Sequence, residues 1–452
     1  MVDSMRDRLE EIEGARLAPW ALRSADATRR QPVKSDGRAF DYRTAFQRDR
    51  DRIVYSRAFR RLRQKAQAGI LPEYEDHRRN RLTHTLEATQ LARTIGRALQ
   101  LNEDLVEAIA LGHDLGQPPF GPTGERALHA ILSGALDGRG GPAMGDLGGF
   151  HRAWQSLRVI DRLEKRYAHA GLNLTDPVRE GIYKSDGEAA VGEPGEGLRP
   201  ELAPSLEGQV VILADRIATV LHQLDDALQS GRVPLVQVER LAAVQQLKKK
   251  LGSAFPSRGG NFMKANAINR GLVHLLVTSA VVASGRALER FAAKHEIESH
   301  ERFLECRDEA VSGREITLPP AGRKLLDELS GFIVSRVSRQ READLAEARG
   351  RRVLVGLFAA YHADPALLDD HVLFRYKEIS GKPYLRDIPL DGSAQALAQY
   401  RTDRRFLRLL ADHLAAMTDG FALSEFERLN GMGAIPIPSA EQLHRENNAA
   451  TE

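Results

Sequence analysis

From Leu82 to Leu101 the chain reads LTHTLEATQLARTIGRALQL, with Leu82, Leu86, Leu91, Ile95 and Leu99 spaced near one face of a helix. Asn102 has the character of an N-cap for a second helix, Glu103 to Leu115. Gly116 to Gly124 (GQPPFGPTG) is too rich in proline and glycine to continue it, which predicts a tight loop. Helix then resumes through Glu125, Leu128 and Ile131, and Gly138 to Gly149 reads as a flexible connector. Further helices are expected over Ala153 to Tyr167, from Asp176-Pro177, and over Leu206 to Leu228, with a polar stretch from Ser185 to Pro204 between the last two. The second half predicts helices at Val236 to Leu251, Asn269 to Ala293, Ala321 to Glu347, Val353 to Tyr361 and Thr402 to Ser424. Strand signals are scarce. The best is Glu315 to Leu318 (EITL), as half of a small hairpin, and the polar tail after Ile435 is expected to fray.

The pattern predicts an all-α protein. Its 452 residues divide into an arginine-rich N-terminal segment plus core over 1–235 and a C-terminal helical region over 236–452 that packs on it. A composition 42% hydrophobic and 28% charged supplies a buried core and excludes global disorder. The N-terminal text is charged and amphipathic, without the apolar stretch of a secretory signal, and no run of about 18 apolar residues stands out. With Cys306 as the single cysteine, these features lead to the expectation of a cytoplasmic protein without membrane contact. A formal net charge of +3 is far from that of a dedicated nucleic-acid binder. Arginine is nevertheless concentrated between Arg23 and Arg63. That stretch reads either as a solvated face paired to Asp49 and Asp51, or as a surface turned to a polyanion such as a triphosphate.

Candidate chemistry lies in four residues. His113-Asp114 ends an apolar helix, LVEAIALGHDLG, and adjacent residues sit about 100° apart on a helix, so both reach one ion only near its end. His84 lies on the preceding helix. Asp215 stands inside the apolar run VVILADRIA, where an unpaired carboxylate is costly and calls for a cation. Imidazole and carboxylate donors suit a divalent metal ion (Mn, Mg, Fe, Co, Ni or Zn) in a hydrolase. His222 with Asp225 and Asp226 follows on the same helix, either lining a pocket or meeting solvent. The glycines near Gly138 lack the Lys-Ser/Thr of a phosphate-binding loop.

The order His, His-Asp, Asp across alanine-rich helices resembles the HD-domain phosphohydrolase superfamily. The segments Tyr42 to Gln67, NRLTHTLEATQLART, HDLGQPPFGPTGE, GLNLTDPVREGI and PSLEGQVVILADRIA resemble the deoxyguanosine triphosphate triphosphohydrolase family over nearly the whole chain. The resemblance implies hydrolysis of a deoxynucleoside triphosphate to deoxynucleoside and tripolyphosphate. It assigns His84, His113, Asp114 and Asp215 as metal ligands and Glu125 as the acidic helper of a catalytic histidine. It assigns Arg48, Arg52 and Arg60 to an arginine motif that meets substrate phosphates. Gln117 and Lys184, the latter beside Tyr183, match substrate-contacting positions. The same resemblance implies a homo-oligomer, often a hexamer, and in some members a response to nucleotides or single-stranded DNA.

The match breaks around the chemistry. Pro122 stands where the family carries its catalytic histidine, Gln117 where His or Asn is common, and Arg152-Ala153 where a His-Asn pair is usual. Thr219 and Gln223 replace a common tyrosine and aspartate. Proline has no side-chain proton donor or acceptor. Three readings stay open: another histidine substitutes, either His129 one turn after Glu125 or His151; the metal suffices for a slower or redirected hydrolase; or the site senses metal and nucleotide without turnover.

Overall fold

The computed structural model describes residues 3–31, 42–67, 79–136, 146–187, 195–256 and 260–430. They build an all-α fold. Among the described residues there is no β-strand, only isolated antiparallel bridges between Arg29 and Thr175 and between Ala66 and Asn80.

Local signals start the central helices. Asn80 accepts the Thr83 N–H at 2.9 Å and opens the Arg81–Ala98 helix, while Asn102 accepts from Leu105 at 3.2 Å and opens Glu103–Gly112 as predicted. Ser205 does the same for the Leu206–Gln229 helix, whose Val210, Ala214, Ile217, Leu221 and Leu224 are fully buried along one face. The leucine stripe expected on the first helix faces the core at every position but Leu86, which is exposed: Ile95 and Leu99 are buried and Leu82 and Leu91 pack against the core. His84, Thr85, Ala88, Ala92 and Gly96 extend the buried face beyond that stripe. Small residues explain this, since a Cβ on Gly96 would already stand 3.1 Å from Val106.

The buried apolar side chains form two clusters. The larger runs from Ala21 to Val337 and therefore passes residue 235 without a break. The smaller joins Phe120, the Pro122–Leu132 helix and Phe150 to side chains between Val353 and Ala422. The loop after Gly112 thus carries the chain from one core to the other. It needs glycine at two points. A Cβ on Gly116 would lie 2.1 Å from the Ser156 nitrogen, and Gly121 takes φ +57 directly after a buried Phe120 at φ +64. Asp419 pins this crossing by accepting the Ala66 N–H and the Phe120 N–H, each at 3.0 Å.

Several element boundaries differ from expectation. The hairpin at Glu315 to Leu318 does not form, because side chains take its amides: Gln209 Oε1 accepts from Glu315 and Ile316 at 3.1 Å, and Ser284 accepts from Thr317 at 2.9 Å. The helix expected over Ala321 to Glu347 divides into Pro320–Arg336 and Arg341–Ala363, where Gln340 donates to the Arg336 carbonyl at 2.7 Å; the second piece absorbs Val353 to Tyr361. Thr402 to Ser424 divides into Arg404–Ala416 and Asp419–Asn430. Ala153 to Tyr167 is a short helix, Arg152–Arg158, closed by a π-turn over Val159–Leu163. The connector at 138–149 and the stretch 185–204 are described only in part, and the tail after Ile435 lies outside the described residues.

The Asn261–His295 helix changes another expectation. By length and composition it could cross a membrane, with a mean hydropathy of 1.5 over an 18-residue window of which 33% is buried. Its Ile268, Leu272, Leu276, Ala280 and Leu288 belong to the larger core.

Candidate metal centre

Three helices deliver the chemistry. His84 sits in the first turn of Arg81–Ala98, His113 is the residue on which Glu103–Gly112 ends, and Asp215 lies midway along Leu206–Gln229. One donor atom from each lies within 4.8 Å of the others. His84 Nε2 is 3.0 Å from Asp215 Oδ1, and His113 Nε2 is 3.5 Å from that oxygen. Both imidazoles are 1% exposed, whereas the Asp215 side chain is 17% exposed and forms the open side.

The hydrogen bonds behind the imidazoles decide which nitrogens face forward. His113 Nδ1 donates to the Ala110 carbonyl at 2.6 Å, so Nε2 carries the lone pair; that buried atom has no hydrogen-bond partner. Behind His84, His222 Nε2 lies 2.8 Å from Glu87 Oε2, and His222 Nδ1 lies 2.9 Å from His84 Nδ1. Donation from His222 to Glu87, and from His84 Nδ1 to His222 Nδ1, leaves His84 Nε2 as a lone pair. Gln67 also meets His84 Nδ1 through its nitrogen at 2.9 Å while its own Oε1 is buried without a partner; half a turn of the amide exchanges the two and suits the same tautomer. Two imidazole lone pairs and a carboxylate facing one point fit a divalent cation, with outer partners of the kind that orient metal-binding histidines. The centre is short of positive charge: burial opposes a proton on His113, yet Asp114 and Asp215 outweigh it and push its pKa up to about 9.

Asp114 stands beside these three on different terms. Its Oδ2 is 3.5 Å from His113 Nε2, but that oxygen also accepts from Arg81 at 3.1 Å, and Oδ1 accepts from Arg152 at 3.2 Å. Burial would raise its pKa, but Arg81, then His113 and Arg152, hold it well below the carboxylate range. Arg152 continues to Asp186, which also lies 3.3 Å from His151 Nε2. Arg81 and Asp186 were not singled out from sequence, and Arg152 only as a departure from the family's usual His-Asn pair. Their signal is weak, because the partners of Arg152 lie far along the chain.

The other expected residues scatter. Pro122 is the first residue of its helix, where a missing N–H costs nothing, and Glu125 Oε1 accepts the Arg152 N–H at 2.8 Å. His129 is exposed and turned to the backbone of Phe150, with its Nδ1 3.0 Å from that carbonyl. Glu125 and His129 therefore hold the segment that presents Arg152. Gln117 is buried, with an unpartnered Oε1 and a backbone carbonyl that accepts from Lys65. Burial pushes the Lys65 ammonium down to about 7. Lys184 is buried against Glu180 at 2.9 Å and lines a cavity of about 1180 Å³ along the Asp215 helix, together with Arg216, Arg286, Arg290, Arg314 and Arg323.

The arginine motif is not gathered at the centre. Arg52 donates to the carbonyls of Leu172 and Asn173 at 2.6 and 2.9 Å and lies over the Tyr167 ring. Arg60 is exposed. Arg48 is pushed down to about 10 by burial and by Arg29 and Arg52. His222, left open in the sequence, joins the site, whereas Asp225 and Asp226 hold Arg79 at 2.7 Å.

Residues 81–220 match the HD domain family, and residues 316–428 match the phosphohydrolase-associated domain. A deoxyguanosinetriphosphate triphosphohydrolase-like protein of Syntrophus aciditrophicus (strain SB) is 35% identical over 424 residues, 92% of this chain and 94% of that protein. Proteins given the same description are 34% identical in Ralstonia nicotianae, over 94% of this chain and 98% of theirs, and 36% identical in Azoarcus sp. (strain BH72), over 87% and 92%.

Proposed function

This chain belongs to the deoxyguanosinetriphosphate triphosphohydrolase-like family of HD-domain phosphohydrolases, and from that premise we propose that it hydrolyses deoxynucleoside triphosphates to deoxynucleoside and tripolyphosphate. Metal-dependent phosphohydrolysis is the chemistry of the family. The observation that carries the reading is the buried, unpartnered Nε2 of His113 aimed at Asp215 and His84. His84, His113 and Asp215 would hold a divalent ion that supplies Lewis-acid chemistry toward a phosphoryl group.

Proton transfer cannot come from Pro122. In this proposal it falls to His151, which Asp186 orients at 3.3 Å and which the Arg152–Asp114 ion pair ties to the centre. His129 keeps a positioning role through the Phe150 backbone. With Arg152 spending its charge on Asp114, turnover of the four ordinary substrates is slow.

Incubation of the full chain with each deoxynucleoside triphosphate and manganese, with products separated by ion-exchange chromatography, tests the proposal. Tripolyphosphate and deoxynucleoside in equal amounts, abolished by chelation, are expected. Orthophosphate release would redirect the assignment to another nucleotide phosphohydrolase. No product from fully metal-loaded protein would make the centre a sensor. Self-association into a homo-oligomer is part of the same proposal, supported by the exposed Phe262 and Met263 and checked by sedimentation.

A further inference from the structure

One helix meets His84 at both ring nitrogens. On Leu206–Gln229, Asp215 Oδ1 lies 3.0 Å from His84 Nε2, and about two turns further along, His222 Nδ1 lies 2.9 Å from His84 Nδ1. The two imidazoles meet edge to face, with centres 5.1 Å apart and planes at 88°. His222 Nε2 in turn lies 2.8 Å from Glu87 Oε2, and Glu87 stands on the His84 helix, one turn beyond that residue. We propose that Glu87 and His222 are positioning residues for the metal: they hold His84 in the one tautomer that leaves Nε2 to a cation. This role presupposes that His84, His113 and Asp215 hold a divalent ion.

The order of hydrogen bonds is set at the outer end. The Glu87 side chain is 48% exposed, that of His222 8% and that of His84 1%, so the three run from solvent to the buried centre. Arg79 donates to the same Glu87 oxygen at 2.8 Å and favours its ionised form. An ionised carboxylate can only accept. A neutral His222 therefore donates from Nε2, which leaves its Nδ1 to accept the His84 Nδ1–H. No other neighbour of His84 imposes that order. Gln67 can present either end of its amide to Nδ1, so it follows the tautomer instead of choosing it. Asp215, when no cation is bound, draws the proton to Nε2 and closes that nitrogen to a metal. Glu87 and His222 oppose that pull.

Arg79 also clamps the outer end across the two helices. Its guanidinium binds Asp225 and Asp226, each at 2.7 Å, and both acids stand on the helix that carries His222. Outer partners of metal-binding histidines are typically worth about 10–100-fold in metal affinity. Here that contribution passes through a second imidazole to a half-exposed carboxylate.

Titration of the metal-free full chain with cobalt(II), followed by visible absorption and by calorimetry, reads this role without turnover. His222→Phe removes the middle of the relay, and Glu87→Gln replaces an obligate acceptor with an amide that can also donate. Each should weaken cobalt binding by about 10–100-fold and shift the absorption band at saturation, because the His84 ring is no longer fixed. Glu87 is half-exposed, so Glu87→Gln should melt with the parent even if His222→Phe does not. Asp226→Asn removes the same charge from the same arginine but lies outside the relay, and should bind cobalt like the parent. The proposal is overturned if both relay variants bind cobalt as the parent does while His113→Ala loses it. It is also overturned if Asp226→Asn weakens binding as much as Glu87→Gln, which would make the effect one of net charge. If His113→Ala keeps its cobalt as well, the proposed centre itself fails and the relay falls with it.

Discussion

The metal centre and a cleft lined by Arg158, Arg162, Arg375, Arg404, Arg405 and Arg408 stand at opposite ends of the short Arg152–Arg158 helix and treat charge differently. At the centre, signs alternate: Arg81 and Arg152 flank Asp114, Arg152 also meets Asp186, and Asp215 faces two imidazoles. Asp114 has opposite neighbours on both sides, but Asp215 faces only the two imidazole Nε2 atoms, so the centre stays short of one cation. In the cleft six cations face one carboxylate, and backbone carbonyls hold the guanidinium groups in place. A cluster with mixed signs and converging imidazole and carboxylate donors selects by coordination geometry. A lining in which arginines outnumber carboxylates selects by charge and is sensitive to salt.

The largest expected effect breaks the centre alone. His113→Ala removes the unpartnered donor, so metal content after loading and desalting should fall to background in elemental analysis. The rise in melting temperature on adding manganese should vanish with it, because that rise is binding energy to the native state. Asp114→Ala sharpens the distinction between ligand and anchor. Leaving Arg81 and Arg152 without their shared carboxylate should cost about 3–5 kcal/mol in urea denaturation of the metal-free protein. Undiminished metal-free stability, with metal binding lost, would make Asp114 a ligand before an anchor.

These two residues also show what the sequence makes legible. A histidine or aspartate inside VVILADRIA or LVEAIALGHDLG stands out because burying it is costly, so His113 and Asp215 could be picked out from local text, whereas His84 sits in the more polar NRLTHTLEA. The Asn102 cap was readable for the same reason: its partner, Leu105, lies three residues away. Arg152 was legible only as a departure from the family's text, since its pairing with Asp114, 38 positions away, is made by folding. The leucine stripe located the core face but not its width, because Ala88, Ala92 and Gly96 beside it admit a close neighbouring helix. Arginine density between Arg48 and Arg63 likewise could not say which carbonyls or solvent each would meet.

The next prediction compares His129, which the sequence reading put forward beside Glu125 as catalytic, with His151. His151→Ala should lower the rate of deoxynucleoside triphosphate hydrolysis by about 10²-fold or more, the usual worth of general acid–base help. His129→Ala should change it less, and mainly through melting temperature, because its ring holds the Phe150 backbone. The reverse order in steady-state assays would give the acid–base role to His129.

The smallest expected effect concerns a buried charge compensated by neither device. Glu207 is fully buried, and its Oε1 accepts the backbone N–H groups of Leu22 at 2.9 Å and Asn102 at 3.4 Å. Burial outweighs those amides and pushes its pKa up from 4.5 to about 6. Between those values the folded chain holds more protons than the unfolded one, so stability falls as pH rises. The contribution is complete below about 4.5 and lost through about 6, on the order of 2 kcal/mol. His413 slopes the other way: burial, with His371 beside it, pushes its pKa down to about 4 from 6.5, so its contribution is lost as pH falls through that range. The two partly cancel in the parent protein, and a single pH profile would hide both. Urea denaturation of Glu207→Gln and parent across pH 4–7.5 separates them, because His413 is common to both and drops out of the difference. The parent should lose its advantage over Glu207→Gln progressively as pH passes from about 4.5 to beyond 6. A difference that stays flat with pH would mean the two amides stabilise the carboxylate as well as water does.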